Sequence, residues 1–277
     1  MNKRRIVFTD LDGTLLDHYT YHTDAAEETI VALKFNNVDI VPNSSKTEQE
    51  ILLIREQLTL ESPFITENGA AVYIPINYFS QQPDDTKVKN GFWVKSFCQS
   101  KDFCIALLKE QASEFKSDFQ GFSQLTVVQL AKLTGLSEPL AQMAMTRNYS
   151  EPLNWLGTEE NKNLFIQKMT KLGANILQGG RFLHVSGLCD KGQAQAWLTA
   201  LYQQESPQDE IITIALGDGK NDNAMLEQAT IAIQIHSPVH DFPKLQRKHQ
   251  IYQSKQHGPA GWAEMLQTIL LSQLTYD

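Results

Sequence analysis

Two aspartates, Asp10 and Asp12, follow the short apolar run IVF near the start of the chain and are separated by one leucine. Neighbouring carboxylates repel one another, so such a pair needs either a bound cation or a proton on one member. Taken alone, the pair is equally typical of a solvated turn. A calcium-binding loop fits less well, because Gly13 directly follows Asp12 and is not at the sixth loop position.

Further polar clusters follow strand-like segments or open helices: Ser44 with Ser45, Lys191, and Asp218 with Asn221 and Asp222. In an open parallel sheet the carboxyl ends of the strands share one edge, where ligands bind. We therefore expect these groups to converge there. Each has an ordinary alternative, because GDGKND is also typical of a polar turn before a helix and Lys191 of a surface lysine.

Several carboxylates at one edge require a counter-charge, because two of them ~4 Å apart repel by about 4 kcal/mol at an effective dielectric of 20. Oxygen ligands of this kind suit Mg²⁺. Lys191 adds a positive charge and Ser44 a hydrogen-bond donor, so the set predicts a phosphoryl site. Asp10 is the expected nucleophile through an aspartyl-phosphate, and Asp12 the expected proton donor and acceptor.

The elements around these motifs predict an α/β domain interrupted by an inserted α+β segment. Strand and helix signals alternate in residues 1–83 and again in 188–277, whereas 84–187 are mixed. PFITENGAAVYIP predicts a hairpin that turns at Asn68-Gly69. Capping-box spacing predicts two helix starts, with Asp24 before Glu27 and Thr47 before Glu50.

Composition places the 277-residue chain among ordinary globular proteins, with 42% hydrophobic and 20% charged residues. The net charge of −8 argues against nucleic acid and anionic membranes as partners. We expect no signal peptide and no membrane span. The cysteines Cys98, Cys104 and Cys189 lack a metal or disulfide spacing, so we expect reduced thiols in a cytoplasmic protein.

The order of the motifs resembles the signature of the haloacid dehalogenase (HAD) superfamily of phosphotransferases: DLDGT, a serine after the second strand, a lysine, and GDGKND. The resemblance covers the whole chain. It implies a Rossmann-like parallel-sheet core with an inserted α+β cap domain. It also implies Asp10 as nucleophile, Asp12 as acid and base, and Ser44 and Lys191 as phosphate ligands.

The same resemblance implies a Mg²⁺ site. Its ligands would be Asp10, the main-chain carbonyl of Asp12, and Asp218, supported by Asn221 and Asp222.

Shorter stretches resemble the mannosyl-3-phosphoglycerate phosphatases: SSKTEQE (44–50), ENGA (67–70), RNYSEP (147–152), GGRFLHV (179–185) and GPAGW (258–262). This resemblance implies a hexosyl-3-phosphoglycerate as substrate, and a hexosylglycerate osmolyte and phosphate as products. The sequence does not distinguish mannose from glucose and gives no oligomeric state.

Such a substrate carries a phosphate, a carboxylate and sugar hydroxyls. Arg181 and His184 are candidates to bind the carboxylate, which arginine contacts bidentately. Glu67, Asn68 and Glu151 are candidates for the hydroxyls. The other candidate substrate ligands are Thr14, Ser45, Lys46, Arg147, Gly180 and Asn221. For the cap residues among them, a packing role is nearly as well supported.

Three alternatives stay open at this point. The first is a phosphatase of another sugar phosphate, such as sucrose phosphate or a simple hexose phosphate. The second is a phosphomutase on the same scaffold. The third is a silent binding protein, which the presence of all four clusters disfavours.

Overall fold

The computed structural model describes residues 2–179 and 181–272. Within these residues the strands are β1 (Lys3–Thr9), β2 (Asp39–Pro42), β3 (Phe64–Thr66), β4 (Ala71–Pro75), β5 (Lys87–Lys89), β6 (Phe92–Ser96), β7 (Phe119–Gly121), β8 (Ser150–Trp155), β9 (Asn175–Gly179), β10 (Phe182–Ser186), β11 (Glu210–Gly217), β12 (Ile231–His236) and β13 (Ile251–His257). The α-helices are α1 (Glu27–Phe35), α2 (Glu48–Gln57), α3 (Lys101–Gln111), α4 (Val127–Thr134), α5 (Glu138–Met145), α6 (Glu159–Lys171), α7 (Lys191–Glu205), α8 (Asn223–Gln228) and α9 (Gly258–Leu266).

The core is a five-stranded parallel sheet with the order β13-β12-β11-β1-β2. Alternate residues of β1 are buried on opposite faces. Val7 packs with α1 and α9, whereas Ile6 and Phe8 pack with α7 and α8. The chain continues to one side from β1 and to the other side from β11, so the switch point of the sheet lies between these two strands. Asp10 and Asp218 follow them at this point, where α/β sheets bind ligands.

A second sheet, β3-β4-β6-β5, is antiparallel and lies beside β2. The predicted hairpin is confirmed, since β3 pairs with β4 across residues 67–70. Asn43 forms a parallel bridge with Ile65, which fixes the hairpin against the end of β2. The boundaries 1–83, 84–187 and 188–277 stay a prediction. Because β5 and β6 pair with β4, this sheet favours a cap that begins after Ser96.

The third sheet, β7-β8-β10-β9, is antiparallel and belongs to the segment between α3 and β10. Helices α3 and α6 cover one of its faces through Leu108, Phe165 and Met169. Helices α4 and α5 form a separate apolar cluster with Phe122. The predicted α/β core with an inserted α+β cap is therefore confirmed.

Of the two predicted capping boxes, only the second is correct. The Thr47 hydroxyl accepts a hydrogen bond from the main chain of Glu50, whose carboxylate accepts one from the Thr47 amide. The predicted Asp24 cap is wrong, because Asp24–Ala26 form a 3-10 turn and α1 begins at Glu27 without a side-chain cap. No helix in residues 2–179 and 181–272 combines the length and apolar character that crossing a membrane requires.

Candidate active site

Three aspartates meet at the switch point of the core sheet. Asp10 follows β1, Asp218 follows β11, and Asp222 ends the short turn after Gly219. All three are buried, and one carboxylate oxygen of each lies within 4.8 Å of the others. Lys191, the first residue of α7, is fully buried beside them. The fold therefore brings these groups together, as the sequence predicts.

The Lys191 ammonium donates hydrogen bonds to Asp10 Oδ1 at 2.5 Å and to Asp222 Oδ1 at 2.6 Å. Burial alone would lower the pKa of Lys191, but the two carboxylates raise it above its ordinary value. The lysine is therefore charged, and its position is fixed by two short ion pairs.

One ammonium does not offset three carboxylates. Burial and the neighbouring Asp222 raise the pKa of Asp10 to about 7. Burial and Asp10 raise the pKa of Asp218 to about 6, and burial also raises that of Asp222. The cluster therefore holds protons near neutral pH unless another positive charge enters it.

Asp12 lies at the rim of this cluster and is partly exposed. Its Oδ1 lies 2.8 Å from Lys46 Nζ, and Lys46 also lies 3.7 Å from Glu50. Gly13, at φ +77°, lies in the turn that follows Asp12, in which the Thr14 and Leu16 amides donate to the Leu11 carbonyl. A Cβ at Gly13 would lie 2.8 Å from Asp218 Oδ2, so the turn packs directly on the carboxylate cluster.

Ser44 is buried in the loop between β2 and α2. Its hydroxyl accepts a hydrogen bond from the Lys46 amide, and its carbonyl accepts one from the Asn68 amide. The Glu67 amide donates to the Lys46 carbonyl. The hairpin turn thus holds residues 44–46 in place through the main chain.

The side chains of Glu67 and Arg147 connect the core to the cap. The Glu67 carboxylate accepts hydrogen bonds from the amides of residues 148–150 and from the Ser150 hydroxyl. Arg147 Nη2 donates to the Ser45 carbonyl at 2.6 Å, and its Nε lies 3.5 Å from Glu67 Oε2. Both side chains are buried, so these two candidate substrate ligands already have protein partners.

The remaining candidates lie in different places. Asn221 donates to the Asn68 side chain at 3.2 Å, close to the hairpin. Arg181 is exposed, and its guanidinium donates to the Leu133 and Thr134 carbonyls at the end of α4. Gly180 lies outside the described residues.

Three buried candidates have polar atoms without a hydrogen-bond partner in residues 2–179 and 181–272: Thr14 Oγ1, His184 Nδ1 and Glu151 Oε2. Burial and the nearby Arg147 charge lower the pKa of His184 to about 3, so its imidazole is neutral. Glu151 uses its other oxygen to accept from the Ser123 amide. Thr14 lies in the core, in the turn after β1, whereas His184 and Glu151 lie on the cap strands β10 and β8.

Asn43 and His240 contact the site directly but were not predicted from the sequence. The Asn43 amide group donates to the Lys191 carbonyl at 3.1 Å, and His240 Nε2 lies 3.4 Å from Asp218 Oδ2. Asn43 directly precedes the predicted serines at the end of β2. This position is the sequence feature that could have indicated its role. His240 lies in the irregular segment before β13, where the sequence shows no periodicity.

Comparison with known proteins agrees with this geometry. Residues 7–240 match the model of the haloacid dehalogenase-like hydrolases. The chain belongs to this family. A glucosyl-3-phosphoglycerate/mannosyl-3-phosphoglycerate phosphatase of Methanococcoides burtonii is 32% identical over 96% of this chain and 97% of its own. Another phosphatase of that name, from Persephonella marina, is also 32% identical, with the same coverage.

A solved haloacid dehalogenase-like hydrolase from B. subtilis has the same fold, with a TM-score of 0.64 at 16% identity, over 96% of this chain and 99% of its own. The family and the curated relatives together make this haloacid dehalogenase-like protein a phosphoric monoester hydrolase.

The carboxylate cluster of this hydrolase fits a divalent cation. Asp10, Asp218 and Asp222 supply three buried oxygens within reach of one ion, and hard oxygen ligands suit Mg²⁺. With all three ionised, Lys191 leaves two negative charges unbalanced. A divalent cation would neutralise these charges and release the protons that burial holds on the cluster.

Proposed function

We propose that this hydrolase is a Mg²⁺-dependent phosphatase that converts a hexosyl-3-phosphoglycerate to hexosylglycerate and phosphate. The observation that carries the proposal is the buried Lys191 ammonium held between Asp10 and Asp222. An aspartate in this setting is oriented, desolvated and next to a fixed positive charge. These are the properties that nucleophilic attack on a phosphoryl group requires.

Asp10 is the proposed nucleophile. Its free carboxylate oxygen attacks phosphorus, the ester oxygen leaves, and an aspartyl-phosphate forms. Lys191, together with Ser44, stabilises the charge on the transferring phosphoryl oxygens. A water molecule then attacks the phosphoenzyme, releases phosphate and restores the carboxylate.

Asp12 is the proposed acid and base. It is less buried than Asp10, and its Oδ1 lies beside the Lys46 ammonium, which orients its carboxyl group at the rim of the cluster. There it donates a proton to the leaving alkoxide and later accepts one from the attacking water.

Asp10, Asp218 and Asp222, with the Asp12 carbonyl, are the groups that would hold Mg²⁺. The ion would supply Lewis-acid polarisation of the phosphoryl oxygens. Asn221 lies on the turn between Asp218 and Asp222 and supports this edge through its hydrogen bond to Asn68.

The substrate class rests on the names of the relatives from M. burtonii and P. marina, which include both a glucosyl and a mannosyl ester. We favour the mannosyl ester because the motifs quoted above resemble that group. Lys46, His184 and Glu151 are the proposed contacts to the carboxylate and sugar. A cytoplasmic location and a role in osmolyte synthesis would follow from this substrate.

A substrate panel tests the proposal. Phosphate release is measured with mannosyl- and glucosyl-3-phosphoglycerate, sucrose phosphate and simple hexose phosphates, with Mg²⁺ and with a chelator. We expect a hexosyl-3-phosphoglycerate to have the highest kcat/KM, and we expect the chelator to stop the reaction. Faster turnover of a simple hexose phosphate would overturn the substrate assignment, and chelator-resistant activity would overturn the metal requirement.

A further inference from the structure

The GPAGW stretch (258–262) forms the start of α9 and ends in Trp262, whose side chain is fully buried. The indole ring packs in the core cluster that also contains Val7 of β1 and Leu11. These two residues flank the proposed nucleophile, Asp10. The catalytic steps proposed for this site involve no residue of the GPAGW stretch, although it packs so close to them.

Helix α9 is fixed against β13, and this holds Trp262 in place. The Glu264 carboxylate accepts hydrogen bonds from the Lys255 and Gln256 amides at 3.1 and 3.0 Å. A Cβ at Gly261 would clash with the Gln256 carbonyl, so the helix and the strand approach each other through their main chains. The indole therefore projects into the core from a rigid support.

The Trp262 side chain reaches the end of β1. Its Nε1–H donates to Thr9 Oγ1 at 3.0 Å, and the Thr9 hydroxyl donates to the Asp10 carbonyl at 2.7 Å. An indole N–H can only donate and a carbonyl can only accept, so the hydroxyl between them has a single arrangement. All three residues are buried, and hydrogen bonds are stronger there than in water. The indole therefore fixes the direction in which Thr9 donates.

The Asp10 carbonyl accepts this bond just beyond the end of the strand. The Asp10 amide donates to the Leu216 carbonyl of β11 at 2.9 Å. Because β1 ends at Thr9, the Asp10 carbonyl is bound by a side chain and not by a neighbouring strand. The main chain of Asp10 is thus fixed on both sides of its Cα. Only two side-chain torsions then separate this anchor from the carboxylate that Lys191 contacts.

Thr9 also connects to the main chain of Lys191. The Asn43 amide donates to the Thr9 carbonyl at 2.8 Å, and the Asn43 side chain donates to the Lys191 carbonyl at 3.1 Å. Thr9 therefore lies between the main chains of Asp10 and Lys191. A displacement of Thr9 would change how these two residues are placed relative to each other.

We propose that Trp262 is a positioning residue for the nucleophile, and that it acts through the Thr9 hydroxyl on the main chain of Asp10. This inference rests on the proposed role of Asp10. Without the indole N–H, the Thr9 hydroxyl is free to rotate, and the Asp10 carbonyl loses a fixed donor. The carboxylate then spends less time in line with the phosphorus atom.

The expected effect is on kcat. A misplacement of about 1 Å costs about 100-fold in rate, and the loss of one hydrogen bond should cause a smaller displacement, so we expect a decrease of about threefold to 30-fold. KM should change little, because a fully buried indole contacts no substrate.

Trp262→Phe tests the proposal, because it removes the N–H and keeps most of the apolar volume. Trp93→Phe is the matched control, since Trp93 is also buried but packs in the cluster on the other face of the sheet. Phosphate release from p-nitrophenyl phosphate with Mg²⁺ gives kcat and KM, and thermal unfolding gives Tm. Both variants should lower Tm, but only Trp262→Phe should lower kcat. An unchanged kcat, equal losses of kcat in the two variants, or a change confined to KM would overturn the proposal.

Substitutions of Thr9 test the path of the effect. Thr9→Val has nearly the same shape but no hydroxyl, so it should lose at least as much kcat as Trp262→Phe. Thr9→Ser keeps the hydroxyl and should retain most of the activity. The double variant Trp262→Phe/Thr9→Val should lose no more than Thr9→Val alone, because both changes break one path. Additive losses would refute the path through Thr9.

The indole signals test the hydrogen bond independently of catalysis. The chain has four tryptophans, and Trp→Phe variants of the other three assign the Trp262 ¹H–¹⁵N resonance by elimination, so no variant of Trp262 has to fold. We expect this N–H to exchange slowly in D₂O and its signal to shift in Thr9→Val. An identical signal in Thr9→Val would exclude the hydrogen bond. If Asp10→Asn turned over substrate, the nucleophile assignment would fail while the indole result stood, so the two proposals fail separately.

Discussion

The Lys191 ammonium lies 2.5 Å from Asp10 Oδ1 and connects the start of α7 to the end of β1, across 181 residues of sequence. Its second short bond, to Asp222, extends this connection to the turn after β11. Three separate segments of the core are therefore held by one buried cation. This cation offsets part of the carboxylate charge and so stabilises the folded cluster.

Lys191→Met should destabilise the protein because it leaves buried carboxylates without their counter-charge. The expected loss is about 3–5 kcal/mol of unfolding free energy at pH 8, the usual cost of removing one partner of a buried ion pair. At pH 5 the loss should be smaller, because the pKa values of Asp10 and Asp218, about 7 and about 6, leave both groups largely protonated. Urea unfolding at the two pH values measures both quantities. The exposed Lys171 serves as the control, and an equal effect of Lys171→Met would contradict the argument.

The stability of the metal-free protein should decrease with pH because of the same cluster. A raised carboxyl pKa means that the folded state holds its proton more tightly than the unfolded state. Asp10 thus contributes stability that is fully present below its unfolded value of 3.8 and is lost as pH rises through about 7. The Tm of the metal-free wild type, measured relative to that of Asp10→Asn, should therefore decrease between pH 5 and pH 8.

Mg²⁺ should reverse this trend. Because the ion binds the ionised cluster, its stabilising effect on the wild type should be larger at pH 8 than at pH 5. Thermal unfolding with and without the ion measures the difference. A Mg²⁺ effect that is equal at both pH values, or unchanged in Asp10→Asn, would show that the ion binds elsewhere.

Asp10→Asn and Asp12→Asn should fail at different steps. An amide at residue 10 forms no acyl phosphate, so this variant should show no turnover and no phosphoenzyme while it stays folded. Asp12→Asn lacks only the proton donor, so we expect a loss of about 10²–10⁴-fold with a sugar ester. With p-nitrophenyl phosphate, whose leaving group needs no proton, phosphorylation should be much less affected. Rapid-quench detection of the phosphoenzyme distinguishes the variants, and turnover by Asp10→Asn would refute the nucleophile assignment.

The convergence of the core cluster could be predicted from the sequence, because each candidate group follows a strand or opens a helix and parallel topology then fixes where it lies. This rule alone was enough to predict where Lys191 and Asp218 lie. The cap was harder, because β8 begins in RNYSEP, where Pro152 and Glu151 conceal the alternation expected of a strand. Arg147 and Glu67 were predicted as substrate ligands because they are charged residues in specific motifs. Their contact with each other depends on how the cap packs against the core. Local sequence contains no such information.

Glu67 should matter more for attachment of the cap than for contact with substrate. Its carboxylate accepts hydrogen bonds from residues 148–150 and lies beside the buried Arg147. Glu67→Ala leaves that charge unpaired, so we expect a loss of about 3–5 kcal/mol in stability. Hydrogen exchange at the amides of residues 148–150 should accelerate. Glu67→Gln should lose less, and the exposed Glu56→Ala should change neither measurement. Unchanged exchange in Glu67→Ala would contradict the proposed attachment.

Gly69 and Gly91 offer a matched test of how closely the hairpin approaches α7. Both have positive φ, at +90° and +82°, and alanine in this region costs about 1–2 kcal/mol through backbone strain alone. A Cβ at Gly91 meets nothing within 4 Å, whereas at Gly69 it would lie 2.0 Å from the Asp190 carbonyl. Gly91→Ala should therefore lose only stability. Gly69→Ala should lose more stability. Because it displaces the residue before Lys191, its kcat should also decrease by at least about tenfold. A shift of about 1 Å in a reacting group is enough to cause a loss of that size. If unfolding and phosphate-release measurements find the two variants alike, the contact between the hairpin and the start of α7 does not position Lys191.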